Sequence, residues 1–197
     1  MVLQNMGNGL EHIAGGHAVL AQFFGAEGQK ALDEALTIRG EYLSMSPFSS
    51  QVQLRADYGQ RVYNYTLDLS VAGEEIVLTV TEPELIAGVT ARTKAEETVL
   101  EYDGLCLETG SLDKSGLTPI SALPAMLRAV REEYLTSYSF EEDGSLRVSC
   151  GDPDLPLGTG TEYTLWFHPE THDLTRGEIS VDGSRRVSCT LSPFTKE

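Results

Sequence analysis

The sequence is short of positive charge. Lys and Arg together number 14 against 30 Asp and Glu, a net charge of −16. Phosphate binding needs a basic footprint, so nucleic acid is excluded as a partner. Docking onto an anionic membrane surface is disfavoured for the same reason, and the acidic surplus reads as a solubilising surface. No apolar run approaches the ~20 residues that a spanning helix requires, so no transmembrane segment is expected. Residues 1–12 hold no Lys or Arg and lack the basic start of a signal peptide. Ile13-Ala14-Gly15 matches the end of a bacterial lipobox, but Gly16 stands in the place of the lipidated cysteine, and we read the match as coincidence. Cysteine is scarce and odd in number: Cys106, Cys150 and Cys189 cannot build a complete disulfide framework. All three lie in strand-like runs and are expected as buried thiols. Cys150 and Cys189 could pair only if their strands were neighbours.

Signatures of catalysis are equally sparse. There is no Walker-type phosphate loop and no dinucleotide fingerprint. Gly158-Thr159-Gly160 follows a Pro-rich loop and precedes a strand, whereas a phosphate site would need a helix N-terminus there. His168 and His172 have the i, i+4 spacing of metal ligands, but Pro169 and the preceding strand make the segment a solvated turn instead. Asp152 and Asp154 lack the rest of a calcium loop, and Pro153 and Pro156 oppose one. Carboxylate pairs such as Glu74-Glu75 and Glu141-Glu142 sit beside turns as solvated faces. No serine lies on a nucleophile elbow. We therefore expect no cofactor, no metal and no enzymatic activity.

What is present is periodicity. Residues 17–36 are helical in pattern, with Leu20, Phe24, Ala31, Ala35 and Leu36 on one face and a break near residues 25–28, where Gly25 and Gly28 weaken the helix. After Ser46-Pro47 the period becomes two. Residues 61–71 put Tyr63, Tyr65, Leu67, Leu69 and Val71 on one face and Val62, Asn64, Thr66, Asp68 and Ser70 on the other. Ala72-Gly73 turns the chain into a return strand bearing Ile76, Leu78 and Val80. Asp103-Gly104, Asp143-Gly144 and Asp182-Gly183 each lie between strand-like runs and supply the positive φ angles of a type I′ turn. One helix interrupts the series over residues 119–133, opened by Pro119, Ser121 and Pro124, with Leu123, Met126, Leu127 and Val130 on one face. The reading is a poorly ordered segment over 1–16 and a single domain over 17–197. That domain is mainly β (α+β), one curved antiparallel sheet of roughly eight to eleven strands with the 119–133 helix on its concave side.

Two stretches carry a family likeness. Pro83 is followed by Ala87-Gly88-Val89 and then by the Tyr102-Asp103-Gly104 hairpin. This pattern, with its element order, resembles the bacterial lipoprotein-carrier superfamily, the LolA/LolB-like fold. Residues 56–63 (ADYGQRVY) resemble more closely the Gram-positive germination lipoproteins within it. The resemblance spans about residues 30–194 in element order and only short stretches in motif. It implies an incomplete β-barrel with helices covering an apolar concave face, a cell-envelope and extracytoplasmic location, and no catalysis. It also implies a lipid or acylated ligand in the cavity or, alternatively, a protein partner such as a cell-wall or sporulation enzyme. The arginine that carriers place in the cavity has no clear counterpart, Arg55 and Arg61 being nearest, which points away from lipoprotein trafficking itself. The residues expected to face a ligand are Tyr63, Tyr65, Leu67, Ile76 and Leu78 from the sheet and Met126, Leu127 and Val130 from the helix. The sequence leaves open whether that space is a cavity or a filled core.

Overall fold

Alternation along the strands decides which face of this sheet turns inward. We analysed a computed structural model that describes residues 15–44, 47–94, 97–111, 114–156 and 158–196, with side chains of the first helix described from Gly25 on. Eleven strands form one antiparallel sheet: β1 (Phe48–Asp57), β2 (Val62–Ala72), β3 (Glu75–Glu82), β4 (Thr90–Lys94), β5 (Glu97–Tyr102), β6 (Leu105–Ser111), β7 (Tyr134–Phe140), β8 (Leu146–Gly151), β9 (Thr161–Phe167), β10 (Leu174–Val181) and β11 (Ser184–Lys196). Their order is β6-β5-β4-β3-β2-β1-β11-β10-β9-β8-β7, so the chain's first and last strands meet in the middle and β6 and β7 are the edges. Two helices accompany it, α1 (Gly15–Leu43) and α2 (Pro119–Glu132). The sheet stays open, as an incomplete barrel does.

The inner face is apolar at every second residue. Leu54, Leu67, Leu69, Leu78, Val148, Leu165, Ile179 and Cys189 are all buried on it. Each fully buried leucine contributes roughly 1.5–3 kcal/mol through apolar burial. On the outer face the same strands present Gln53, Arg55, Thr66, Glu178 and Thr190. Helix α2 starts at a capping box, in which Thr118 and Ser121 exchange side-chain and backbone hydrogen bonds, with Pro119 behind the cap. Its buried side includes Leu123, Met126, Leu127 and Val130, the face expected from spacing. Helix α1 packs on β7, β8 and α2, and α2 packs on β8, β9 and β10.

The break in α1 lies at Gly25, whose φ of 60° no L side chain adopts easily. Beyond it the helix runs further than expected, to Leu43, and buries Ala31, Ala35, Ile38 and Tyr42. Leu36 leaves that row and is half exposed, because the i, i+4, i+7 stripe passes through Ile38 instead. Leu20 and Phe24, and residues 1–14 of the expected poorly ordered segment, lie outside the described residues or side chains.

The turns differ in kind. Asp103-Gly104 and Asp182-Gly183 have positive φ at both positions, as type I′ requires. Asp143 does not: Glu141 N–H donates to Ser145 O, and only Gly144 has positive φ, which makes a longer hairpin with glycine in the left-handed position. Asp143 instead accepts from Ser145 N and Oγ. The β2–β3 turn sits one residue later than read, at Gly73-Glu74, because Ala72 still pairs with Glu75. Cys106 is exposed on edge strand β6, so only two of the three thiols are buried. Cys150 and Cys189 are free and lie on β8 and β11, with β9 and β10 between them.

Candidate functional site

The two helices cover the inner face over β7–β10, and the other half of the sheet shows what lies bare. The cross-strand row Leu78, Ala91, Leu100, Leu107 crosses β3 to β6 on that inner face. Leu78 and Ala91 are each 2% exposed, Leu100 is partly buried, and Leu107 is 63% exposed. Tyr102 and Leu105, paired at the β5–β6 turn, share this face and are 50% and 75% exposed. Inward-facing apolar side chains therefore emerge into solvent toward the β6 edge.

A second opening lies where β2 begins. β3 pairs with β2 only from Thr66, so residues 62–65 run past its end. Tyr63, expected to be buried with Leu67, is 39% exposed for this reason, and Tyr65 is half-buried. The rings of Tyr58, Tyr63 and Tyr65 form a chain with centroids 5.9 and 6.5 Å apart. The Tyr58 hydroxyl donates to Leu117 O, 2.9 Å away in the segment entering α2. Desolvation, reinforced by the neighbouring phenols, pushes the Tyr58 and Tyr65 hydroxyls up from the ordinary tyrosine range.

The remaining candidate residues fall into the core. Leu67, Ile76 and Leu78 are buried on adjacent strands. Met126, Leu127 and Val130 are buried under α2, over β8–β10. Met126 Sδ is 3.6 Å from Cys189 Sγ and would lie 2.5 Å from any Cβ built on Gly177, so the packing there is tight. The sheet and helix residues expected to meet across one space thus line different parts of the inner face. Neither arginine near the start of β2 enters it: Arg55 points outward to Asp57 at 3.4 Å, and Arg61 is exposed. Spacing could not reveal Tyr102, Leu105 and Leu107, because their exposure follows from β6 being an edge.

The two histidines whose side chains are described, His168 and His172, serve the scaffold. His168 Nδ1 accepts from the Glu170 and Thr171 amides within the β9–β10 loop. His172 lies between two carboxylates of α1, with Glu34 at 2.7 Å and Glu41 at 2.9 Å. Asp152 closes a turn by accepting from Asp154 N. Among the described residues no three potential ligands converge on a metal site.

The architecture is the one the resemblance implies: an open, curved antiparallel sheet with an N-terminal helix and a second helix inserted mid-chain against its inner face. No family model and no curated protein matches the sequence. Solved structures do share the fold. An uncharacterized conserved protein of Thermus thermophilus superposes with a TM-score of 0.52 at 9% identity, covering 84% of this chain and 87% of its own. A DUF1329 family protein of Desulfovibrio piger superposes at 0.51 and 10% identity, over 87% of this chain and 93% of its own. A LolA superfamily protein of Nitrosomonas europaea covers 83% of this chain and 93% of its own at 13% identity, with a TM-score of 0.44. At such identities the likeness is one of fold.

Proposed function

We propose that this chain is a non-catalytic, extracytoplasmic binding protein of the cell envelope that holds a lipid or acyl chain against the uncovered part of its inner sheet face. The observation that carries the reading is the apolar row that leaves the core at Leu100 and surfaces at Tyr102, Leu105 and Leu107. Bare inward-facing leucines lose their hydration cost when an acyl chain covers them. Leu100, Leu105 and Leu107 would form the floor of the site, and Tyr63 and Tyr65 would offer hydroxyls to a polar head beside apolar rings; Leu67, Ile76 and Leu78 are packed core beside it, and Met126, Leu127 and Val130 hold α2 on the other part of the same face. The resemblance in sequence supports the location and the ligand class together.

The test is titration with a fluorescent fatty acid such as cis-parinaric acid. The wild type is expected to bind it saturably. Leu107→Glu, at a position already exposed, should weaken uptake about tenfold or more with little change in melting temperature, because it sets a charge against the chain. Absence of uptake by the wild type overturns the lipid reading.

A second reading draws on a separate feature. β6 is hydrogen-bonded on one side only, and its seven residues are all exposed. An extended peptide of a partner, such as a cell-wall or sporulation enzyme, could add to that edge as a strand. If the fatty acid is refused, this becomes the leading reading.

A further inference from the structure

A different site lies on the opposite face of the sheet and does not rest on the lipid reading. Where β1, β2, β10 and β11 run side by side, their outward side chains enclose a hollow of about 490 Å³. That volume falls within the range usual for small-ligand sites, roughly 300–1,000 Å³. Three guanidiniums (Arg55, Arg176 and Arg185) and two carboxylates (Glu82 and Glu178) line it, with Asp57 holding Arg55 from the rim. In a chain of net charge −16, this lining departs from the acidic surplus, with three positive charges against two negative ones.

Its centre is built around Glu178. This carboxylate is only 15% exposed, and one of its oxygens accepts from Arg176 at 2.5 Å and from Arg185 at 2.8 Å. Both guanidiniums remain about half exposed, so the carboxylate is the floor and the arginines are the rim. Arg176 also stacks on the Trp166 ring at 4.4 Å, which fixes its plane. A register shift in the β10–β11 pair sets Arg185 opposite Ser180, on the outward side beside Glu178. Each guanidinium has five donors and spends one on Glu178, which leaves a preformed pair for a planar or tetrahedral oxyanion. Around this pair Gln53, Asn64 and Thr190 make no side-chain hydrogen bond among the described residues. Their amides and hydroxyl have the mixed donor and acceptor character that matches sugar hydroxyls.

We propose that this hollow binds an acidic sugar, a polyhydroxylated ring bearing a carboxylate or a phosphate, with the anion on Arg176 and Arg185 and the hydroxyls on Gln53, Asn64 and Thr190. The full chain is titrated by calorimetry at one ionic strength with D-glucuronate, D-glucose 6-phosphate, D-glucose and inorganic phosphate. Saturable binding of at least one acidic sugar is expected, and which one binds identifies the oxyanion. Glucose and phosphate should each bind at least tenfold more weakly, since each lacks half of the recognition. Arg185→Gln should weaken the acidic sugar about tenfold, the scale of a hydrogen bond to a charged group. Arg92→Gln, on β4 outside the hollow, should leave it unchanged. If Arg185→Gln is found to unfold, Asn64→Ala takes its place and should weaken the sugar while leaving any phosphate binding unaltered. No saturable binding of either acidic sugar overturns the proposal, as does phosphate binding as tightly as the sugars, or equal weakening by the Arg185 and Arg92 variants.

Discussion

Single side chains do much of the joining here. Tyr42 at the end of α1 donates to His172 O at 3.1 Å, accepts from Leu174 N at 2.9 Å, and sets its ring edge-on to Phe167 at 5.5 Å. Arg39 of α1 donates to Val130 O and Glu133 O at the end of α2, while Arg131 of α2 donates to Tyr42 O. Each helix thus satisfies terminal carbonyls of the other. Tyr42→Phe keeps the ring but leaves the buried Leu174 amide without its acceptor. We expect a loss of about 1–3 kcal/mol, read from urea unfolding. The thiols give a pH signature. Burial is the main cause that lifts Cys150 and Cys189 from 9.0 to about 12. The folded state therefore favours the neutral thiol, and their contribution is complete below pH 9 and is lost as pH rises from there toward about 12. Denaturation midpoints should fall over that interval in the wild type and fall less in Cys150→Ala. Tyr42, whose phenol burial also pushes upward, adds to the loss at higher pH in both. A thiol reagent should titrate Cys106 at once and the other two only on unfolding.

At the scale of elements, strand alternation, the inserted helix and the positions of the hairpins to within a residue are readable, although only Asp103-Gly104 and Asp182-Gly183 have the turn type expected. The alternation over residues 61–71, the α2 face and the weak point at Gly25 all appear where periodicity put them, because each is set by a handful of neighbouring residues. Local pattern fails where tertiary placement decides. Tyr63 alternates like Leu67, but no rule of spacing says that β3 stops opposite Thr66. Leu36 belongs to a plausible apolar stripe that the actual packing of α1 bypasses. The bare residues of β5 and β6 look like ordinary strand residues until the strand order makes β6 an edge. The segment before α2 shows how tightly placement can constrain a linker. Gly116 has a φ of +72°, and a Cβ there would stand 2.6 Å from Ala125 Cβ and 2.7 Å from Ile179 Cδ1. Gly116→Ala should therefore cost about 1–3 kcal/mol, from backbone strain together with overpacking, measurable as a lowered melting temperature.

For the whole molecule, the strand order explains why one chain offers two kinds of surface. The first and last strands pair at the centre, so the outward polar rows of β1 and β11 adjoin and bring Arg55, Arg176 and Arg185 to one place although up to 130 residues separate them in sequence. That convergence could not be read from local pattern, whereas the order of elements could. The β6 edge has one further consequence. β6 leaves a row of backbone donors and acceptors unladdered, beside exposed Leu105 and Leu107 and with Glu108 as its one charged residue. Such an edge is a template for self-association. Long-range repulsion between bodies of net charge −16 opposes such pairing. That repulsion shortens to about 10 Å at 0.1 M salt and to about 3 Å at 1 M. Light scattering should therefore find the protein dispersed in dilute buffer and associating through this edge as salt is raised toward about 1 M.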